Sequence, residues 1–263
     1  MEKSREIRKS RGSSSEHARE IRQAGHDDAK LFALELGLDE DYQNDQKAKK
    51  DVVDPSGDTH SVKSGKKKWQ IFLYRESRFE EFRVMNGIGE ILINCINAFP
   101  QSYNDYILDK DSAKQRLRPH MVALANKLQE KHRLKAFIEK SMFNGGEVNY
   151  LTVLDNGKYH VFHHKDVCSI MSEHLLVTNS EARNSGQTPE QKVVFKYQGV
   201  NLGEVEMRND SPGHYREIRF NMMKPKAMKL LYENITTKID YSETIVLYGE
   251  AIKRFGKWKL PSK

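Results

Sequence analysis

The sequence is poor in the residues that staple small domains or carry a chain across a bilayer. Cysteine occurs only at Cys95 and Cys168, too few for a disulfide framework or a cysteine-rich zinc module. Such sparse thiols suit a reducing cytoplasm. No apolar run approaches the roughly 20 residues that a membrane-crossing helix requires. Met1 to Arg22 is charged throughout and lacks the apolar stretch of a secretory signal. A Gly-rich phosphate loop and a Ser-His-Asp order are also missing. What is present is enough apolar material, 37% of 263 residues, to bury the core of one large or two small domains. The charge balance is 44 Lys+Arg against 37 Asp+Glu, a net +7, which permits a polyanionic partner without requiring one. The lysines cluster at Lys47, Lys49 and Lys50, at Lys63, Lys66, Lys67 and Lys68, and in a tail from Lys253 and Arg254 through Lys257 and Lys259 to Lys263.

Polar residues 1–24, Ser-rich around Gly12 to Ser15, carry too little apolar surface to fold alone and read as a flexible arm, either disordered or a loosely docked helix. Leu31, Phe32, Leu34, Leu36 and Leu38 predict a helix over about 26–37 that stops at Gly37. Val52-Val53, the turn residues Pro55-Ser56-Gly57-Asp58 and the return from Thr59 to Ser64 form a hairpin. Trp69 to Tyr74 fits helix or strand. Phe79, Phe82, Met85, Ile88, Leu92, Cys95, Ile96 and Phe99 recur at spacings of three and four, predicting one amphipathic helix ended by Pro100, with Cys95 in its packed stripe. A further helix is expected from Pro119, in its first turn, to Phe143. After Asn144-Gly145-Gly146 the pattern turns to strands. Val148–Leu154 and Lys158–Phe162 flank the hairpin signal Asp155-Asn156-Gly157, and 193–197, 202–207 and 215–222 follow, with a short helix from Lys224 to Tyr232.

In the first hairpin Asp51 falls opposite Ser61 and Lys63. Alternation aims Ser61 and Lys63 at one face and sends Val62 with His60 into the core. An acid and a lysine then meet at one sheet edge beside lysine-rich loops. That pairing suits phosphodiester cleavage: a carboxylate holds Mg²⁺, the metal activates water, and a lysine orients that water or offsets phosphate charge. The plainer reading of the ribbon is an exposed hairpin with a solvated Lys63 and a turn-capping Asp54.

These residues resemble the PD-(D/E)XK nuclease superfamily, which includes many restriction endonucleases. Gly25-His26-Asp27-Asp28 with Leu31-Phe32-Ala33 is similar to the family's first helix, with Asp28 at its acid. Asp51 matches the metal-binding Asp, Lys63 the motif lysine, and Gln70 with Tyr74 the Gln-x-x-x-Tyr element of some branches. The resemblance covers Gly25 to Tyr74, roughly a fifth of the chain. Ser61 stands where the pattern has Asp or Glu. A second carboxylate must then come from Asp28, Asp54 or Glu35, with the Val62 carbonyl as a further donor, or the site holds one metal.

The resemblance implies an α/β (α+β) fold in which helices flank a mixed sheet, and a Mg²⁺-dependent type II restriction endonuclease acting on double-stranded DNA. It implies Asp51, Lys63, Ser61, Asp28 and Gln70 as the catalytic set and Asp51, Asp28 and Asp54 as the metal ligands. The organisation expected is a flexible basic arm over 1–24, a catalytic core over 25–145 and a strand-rich DNA-recognition region over 146–263. Lys66, Lys67 and Lys68 are expected on phosphate. Arg208, Tyr215, Arg216 and Arg219 suit groove contact or an ordinary surface hairpin equally. A palindromic target would favour a homodimer. The alternatives are a non-catalytic nucleic-acid-binding protein with a decayed site and a repair or phage nuclease of low specificity. The rival order Asp155 with His163-His164-Lys165 is set aside, because about eight residues of extended strand hold the groups near 25 Å apart. His160 and His163 fall on opposite strand faces and do not share a metal.

Overall fold

The structure, a computed structural model, describes residues 15–38, 51–82, 85, 87–182, 184–185 and 187–257. The arm up to residue 14, Lys47, Lys49, Lys50, Lys259 and Lys263 lie outside the described residues.

Turn chemistry places the first strands. In the opening hairpin, β1 (Val52–Val53) pairs antiparallel with β2 (Thr59–Lys63), and Gly57 takes a φ of 87° that side-chain-bearing residues avoid. Asn156 and Gly157 both have positive φ, as a two-residue hairpin turn requires, and join β4 (Tyr150–Asp155) to β5 (Lys158–His163). These hairpins meet through a parallel β2–β4 pairing. Two late strands, β10 (Lys238–Asp240) and β11 (Ile245–Tyr248), complete a mixed six-stranded sheet in the order β1-β2-β4-β5-β11-β10. The second sheet is antiparallel, in the order β3-β9-β8-β7-β6, from β3 (Lys68–Tyr74), β6 (Leu176–Asn179), β7 (Lys192–Tyr197), β8 (Val200–Arg208) and β9 (Glu217–Met223). The fold is mixed α/β, as expected. Both sheets draw strands from both halves of the chain, so the boundary placed at residue 145 does not separate two sheets.

Strand alternation divides the larger sheet. One face, with Val62, Tyr150, Tyr159, Val161, Ile245 and Leu247, is covered by α1 (Ser15–Glu35) through Ala29, Phe32 and Ala33, and by α9 (Ala251–Arg254). The N-terminal helix thus starts well before residue 26, and the helical alternative holds for the described end of the arm. Leu151, Val153, Phe162 and Val246 on the other face join a large core shared with the five-stranded sheet.

The helices of that core correct two expectations. The stripe from Phe79 to Phe99 is not one helix: α2 (Glu76–Phe79) and a 3-10 turn to Phe82 are separated from α3 (Ile88–Asn97) by Gly87 at φ 84°. A left-handed residue cannot continue a right-handed helix. The apolar positions are nonetheless buried on both sides of the break, which explains why periodicity ran through it. The Pro119 helix is in fact two, α5 (Lys110–Leu128) and α6 (Lys131–Phe143), with Pro119 interior to the first. An interior proline costs about 3 kcal/mol. Ala113 and Leu117 before it and Met121 and Leu124 after it are all buried, and that burial offsets the cost. Three helices escaped the reading: the short α9, α4 (Tyr103–Leu108), capped by the Ser102 hydroxyl, and α7 (His164–His174), whose buried Val167, Cys168 and Met171 have helical spacing. The last long helix is α8 (Lys224–Asn234). Both cysteines are buried, and desolvation pushes their thiols well above the ordinary range. Among the described residues no helix is long and apolar enough to cross a membrane.

Candidate active site

The β1–β2 ribbon puts three of the expected residues together. Val52 pairs with His60, so Asp51, the residue before β1, lies beside Ser61. Its backbone N–H donates to the His60 carbonyl at 2.8 Å. Its carboxylate replaces the next rung of the ladder: Oδ2 accepts the Val62 N–H at 2.7 Å and the Ser61 hydroxyl at 3.4 Å. Lys63 Nζ stands 3.9 Å from the same oxygen. Asp51 and Lys63 are both partly exposed, whereas Ser61 is buried. The ion pair is at the edge of the sheet, because β1 is its terminal strand. From Lys63 the chain bends through Ser64 and Gly65 into β3, where a Cβ at residue 65 would come within 2.9 Å of the Lys68 carbonyl. Lys66, Lys67 and Lys68 on this bend are exposed, and none of them forms an ion pair with a described residue.

The other expected site residues lie elsewhere. Asp28 is on α1, which covers the sheet face opposite to Ser61 and Lys63, and its carbonyl accepts the Tyr159 hydroxyl at 3.1 Å. Glu35 accepts from Thr244 Oγ1 at 2.7 Å, at the far side of the same sheet. Gln70 is exposed on β3 in the other sheet, opposite Asn221. Tyr74, at the end of that strand, stacks on Phe72 and carries the Arg78 guanidinium over its ring.

Asp54 is a correction. It is buried, and its Oδ1 accepts from the Ser56 N–H (2.9 Å), the Ser56 hydroxyl (2.6 Å) and the Asp58 N–H (3.0 Å). Oδ2 faces His60 Nε2 at 3.4 Å. Burial alone would raise its pKa, but the hydrogen bonds from His60 and Ser56 outweigh it and hold the carboxyl below its usual range. Buried, with Oδ1 bonded to the turn and Oδ2 facing His60, Asp54 is not presented to a metal arriving from solvent.

His60 itself is fully buried between Phe32 and Tyr150, and desolvation keeps it neutral. His163 and His164 are buried and neutral for the same reason, His163 with its pKa lowered to about 4. An unfolded histidine titrates near 6.5, so the unfolded chain binds protons first as the pH falls. Stability present above about pH 6.5 is therefore lost progressively toward pH 4. We expect the thermal midpoint to fall by several degrees between pH 7 and pH 5, at about 2–4 °C per kcal/mol for a chain of this size. A flat or rising midpoint in scanning calorimetry would contradict this.

Most of the expected groove-contact residues are committed internally. Arg208 is bonded to Asp210 by Nε (2.5 Å) and Nη2 (2.8 Å). Arg219 pairs with Glu206, which also takes Lys192. Burial would raise the Glu206 pKa, yet the two cations hold it low. Arg216 donates to Asn97 Oδ1 at 2.6 Å. Tyr215 corrects its assignment: it is buried against Phe99, Tyr103 and Tyr106, its hydroxyl donates to the Pro100 carbonyl at 2.7 Å, and burial pushes its pKa up to about 12.

Among the described residues no group of three or more His, Cys, Asp or Glu side chains is placed to hold a metal ion. The donors on the ribbon edge are the Asp51 carboxylate, whose Oδ1 accepts no hydrogen bond among the described residues, and the Ser61 hydroxyl. Mg²⁺ keeps several waters and needs as few as one protein carboxylate beside substrate phosphate. The edge fits one hydrated divalent ion on Asp51 and, among the described residues, lacks the second carboxylate of a two-metal clamp. The sequence reading missed the buried Lys224, whose ammonium reaches Asp155 at 2.8 Å, just past Lys63 along the sheet. Its signal was a lysine beside Pro225 at a helix start, where a cation opposes the helix dipole. Comparison of the chain with models of protein families, with curated proteins and with solved structures finds no match.

Proposed function

We propose that the chain is a Mg²⁺-dependent DNA endonuclease of the PD-(D/E)XK kind, most in keeping with a sequence-specific type II restriction enzyme. The observation that carries this reading is the pairing of Asp51 with Lys63, 3.9 Å apart on an open sheet edge, followed, past Ser64 and Gly65, by three exposed lysines that form no ion pair with a described residue. On such an edge a phosphodiester finds a cation within reach of its oxygens and a carboxylate beside it. Lys63 neutralises charge building on the phosphate or holds the attacking water. Asp51 keeps the ammonium aimed, while its bond to the Val62 N–H keeps the carboxylate itself in one orientation. Bound at Asp51, Mg²⁺ would lower the pKa of a coordinated water and supply positive charge at the phosphate. Duplex DNA is the substrate class that a lysine-lined edge of net positive charge would attract.

The second reading, a DNA-binding protein without catalysis, draws on the neutral, buried Ser61 at the motif's acid position. Incubation with long DNA of mixed sequence and Mg²⁺ separates the possibilities. A restriction enzyme yields discrete fragments, a nuclease of low specificity yields a smear, and a binder leaves the DNA whole while retarding it equally well in EDTA.

The lysine bend makes a separate prediction. Each phosphate contact contributes about −0.9 to the slope of log K against log salt. Replacing Lys66, Lys67 and Lys68 together by alanine should flatten that slope by up to about 2.7 and weaken binding equally on all sequences. Arg219→Ala, which breaks a pair already satisfied within the sheet, should leave the slope unchanged. Fluorescence-anisotropy titrations across a salt series read both.

A further inference from the structure

Lys224 breaks two local rules at once. It is the one lysine buried among the described residues, at 6% exposure, and it opens α8, where the helix dipole disfavours a cation. An ammonium is held in such a place only if its hydrogens are satisfied. Here Nζ donates to the Leu154 carbonyl at 2.7 Å and pairs with Asp155 Oδ1 at 2.8 Å, while the backbone N–H donates to the Lys67 carbonyl at 3.0 Å.

The location of those partners gives the contacts a purpose. Leu154 and Asp155 end β4 directly after Val153, the residue that pairs with Lys63 across the parallel ladder. Lys67 lies on the bend that leaves Lys63 for the second sheet. One residue therefore ties the end of β4, the strand beside Lys63, to the bend that carries the chain away from Lys63, and joins the six-stranded sheet to the β9–α8 corner of the other. Lys66, Asp155 and Lys224 also line one groove of about 380 Å³ beside this corner.

We infer that Lys224 is a positioning residue for Lys63: through Leu154, Asp155 and Lys67 it fixes where the Lys63 ammonium stands relative to bound phosphate. The inference rests on the reading of the Asp51–Lys63 edge as the cleavage site. Misplacing a reacting group by about 1 Å can cost on the order of 100-fold in rate. Cleavage by Lys224→Met, measured well below its thermal midpoint, should therefore show kcat down by roughly tenfold or more, with KM and duplex affinity in EDTA within about twofold. A purely structural role would lower the midpoint and leave the kcat of the folded protein intact. Should Lys224→Met fail to fold, Asp155→Asn keeps the shape and an acceptor but weakens the clasp, and a several-fold loss in kcat at unchanged KM is expected. Unchanged kcat in either folded variant overturns the positioning role alone. If the unaltered chain cuts no DNA, the proposed function fails and the positioning role with it.

Discussion

Lys63→Ala is expected to slow strand cleavage by about 10²–10⁴-fold, the range over which a positioned acid, base or charge-offsetting group acts. Asp51→Ala should fall at least as far, because it removes the carboxylate that would hold the metal together with the group that orients Lys63. Retained duplex binding in both variants distinguishes a lost reaction from a lost fold. The two residues act as a unit, so the double variant should be no slower than the worse single one, as for other catalytic groups that work together. Single-turnover cleavage with saturating enzyme reads the chemical step directly. A Lys63→Ala protein that cuts within a few-fold of the unaltered chain would remove Lys63 from the mechanism.

Asp54→Ala is expected to have the largest effect on stability, a loss of about 2–3 kcal/mol. The substitution orphans the Ser56 and Asp58 N–H groups and the Ser56 hydroxyl, and leaves the buried His60 ring without its Nε2 partner. Asp54→Asn keeps the acceptor oxygen and should lose less. Neither substitution should shift the Mg²⁺ concentration needed for half-maximal cleavage, because Asp54 is committed to the turn. Urea denaturation gives the first quantity and a Mg²⁺ titration the second. A Mg²⁺ requirement raised tenfold or more by Asp54→Asn would return Asp54 to the metal site.

The hairpins were legible because their determinants are local. Pro55-Ser56-Gly57-Asp58 and Asp155-Asn156-Gly157 specify turns, and each turn sets the register of its strands. The opposition of Asp51 to Ser61 followed from that register alone. What was not legible depends on contacts between distant segments. Gly87 interrupts a periodic apolar stripe that is buried on both sides, and Pro119 is carried inside α5 by packing around it. Tyr215 reads as a groove residue beside Arg216 and Arg219, but its ring is surrounded by Phe99, Tyr103 and Tyr106 from a segment far away in sequence. Likewise Asp155, judged only against Lys165, has Lys224 as its partner, a residue that arrives at the start of α8, just after β9 of the other sheet. Asp28 shows the limit of a linear motif: its order along the chain matches the pattern, while α1 presents it on the face away from Lys63.

The most direct measurement is the conversion of covalently closed plasmid DNA by the unaltered chain, in excess, with Mg²⁺ and with EDTA. The account predicts nicked and then linear circles only with Mg²⁺, and none with Lys63→Ala. Closed circles that stay intact under Mg²⁺ while the protein is bound to them would contradict it.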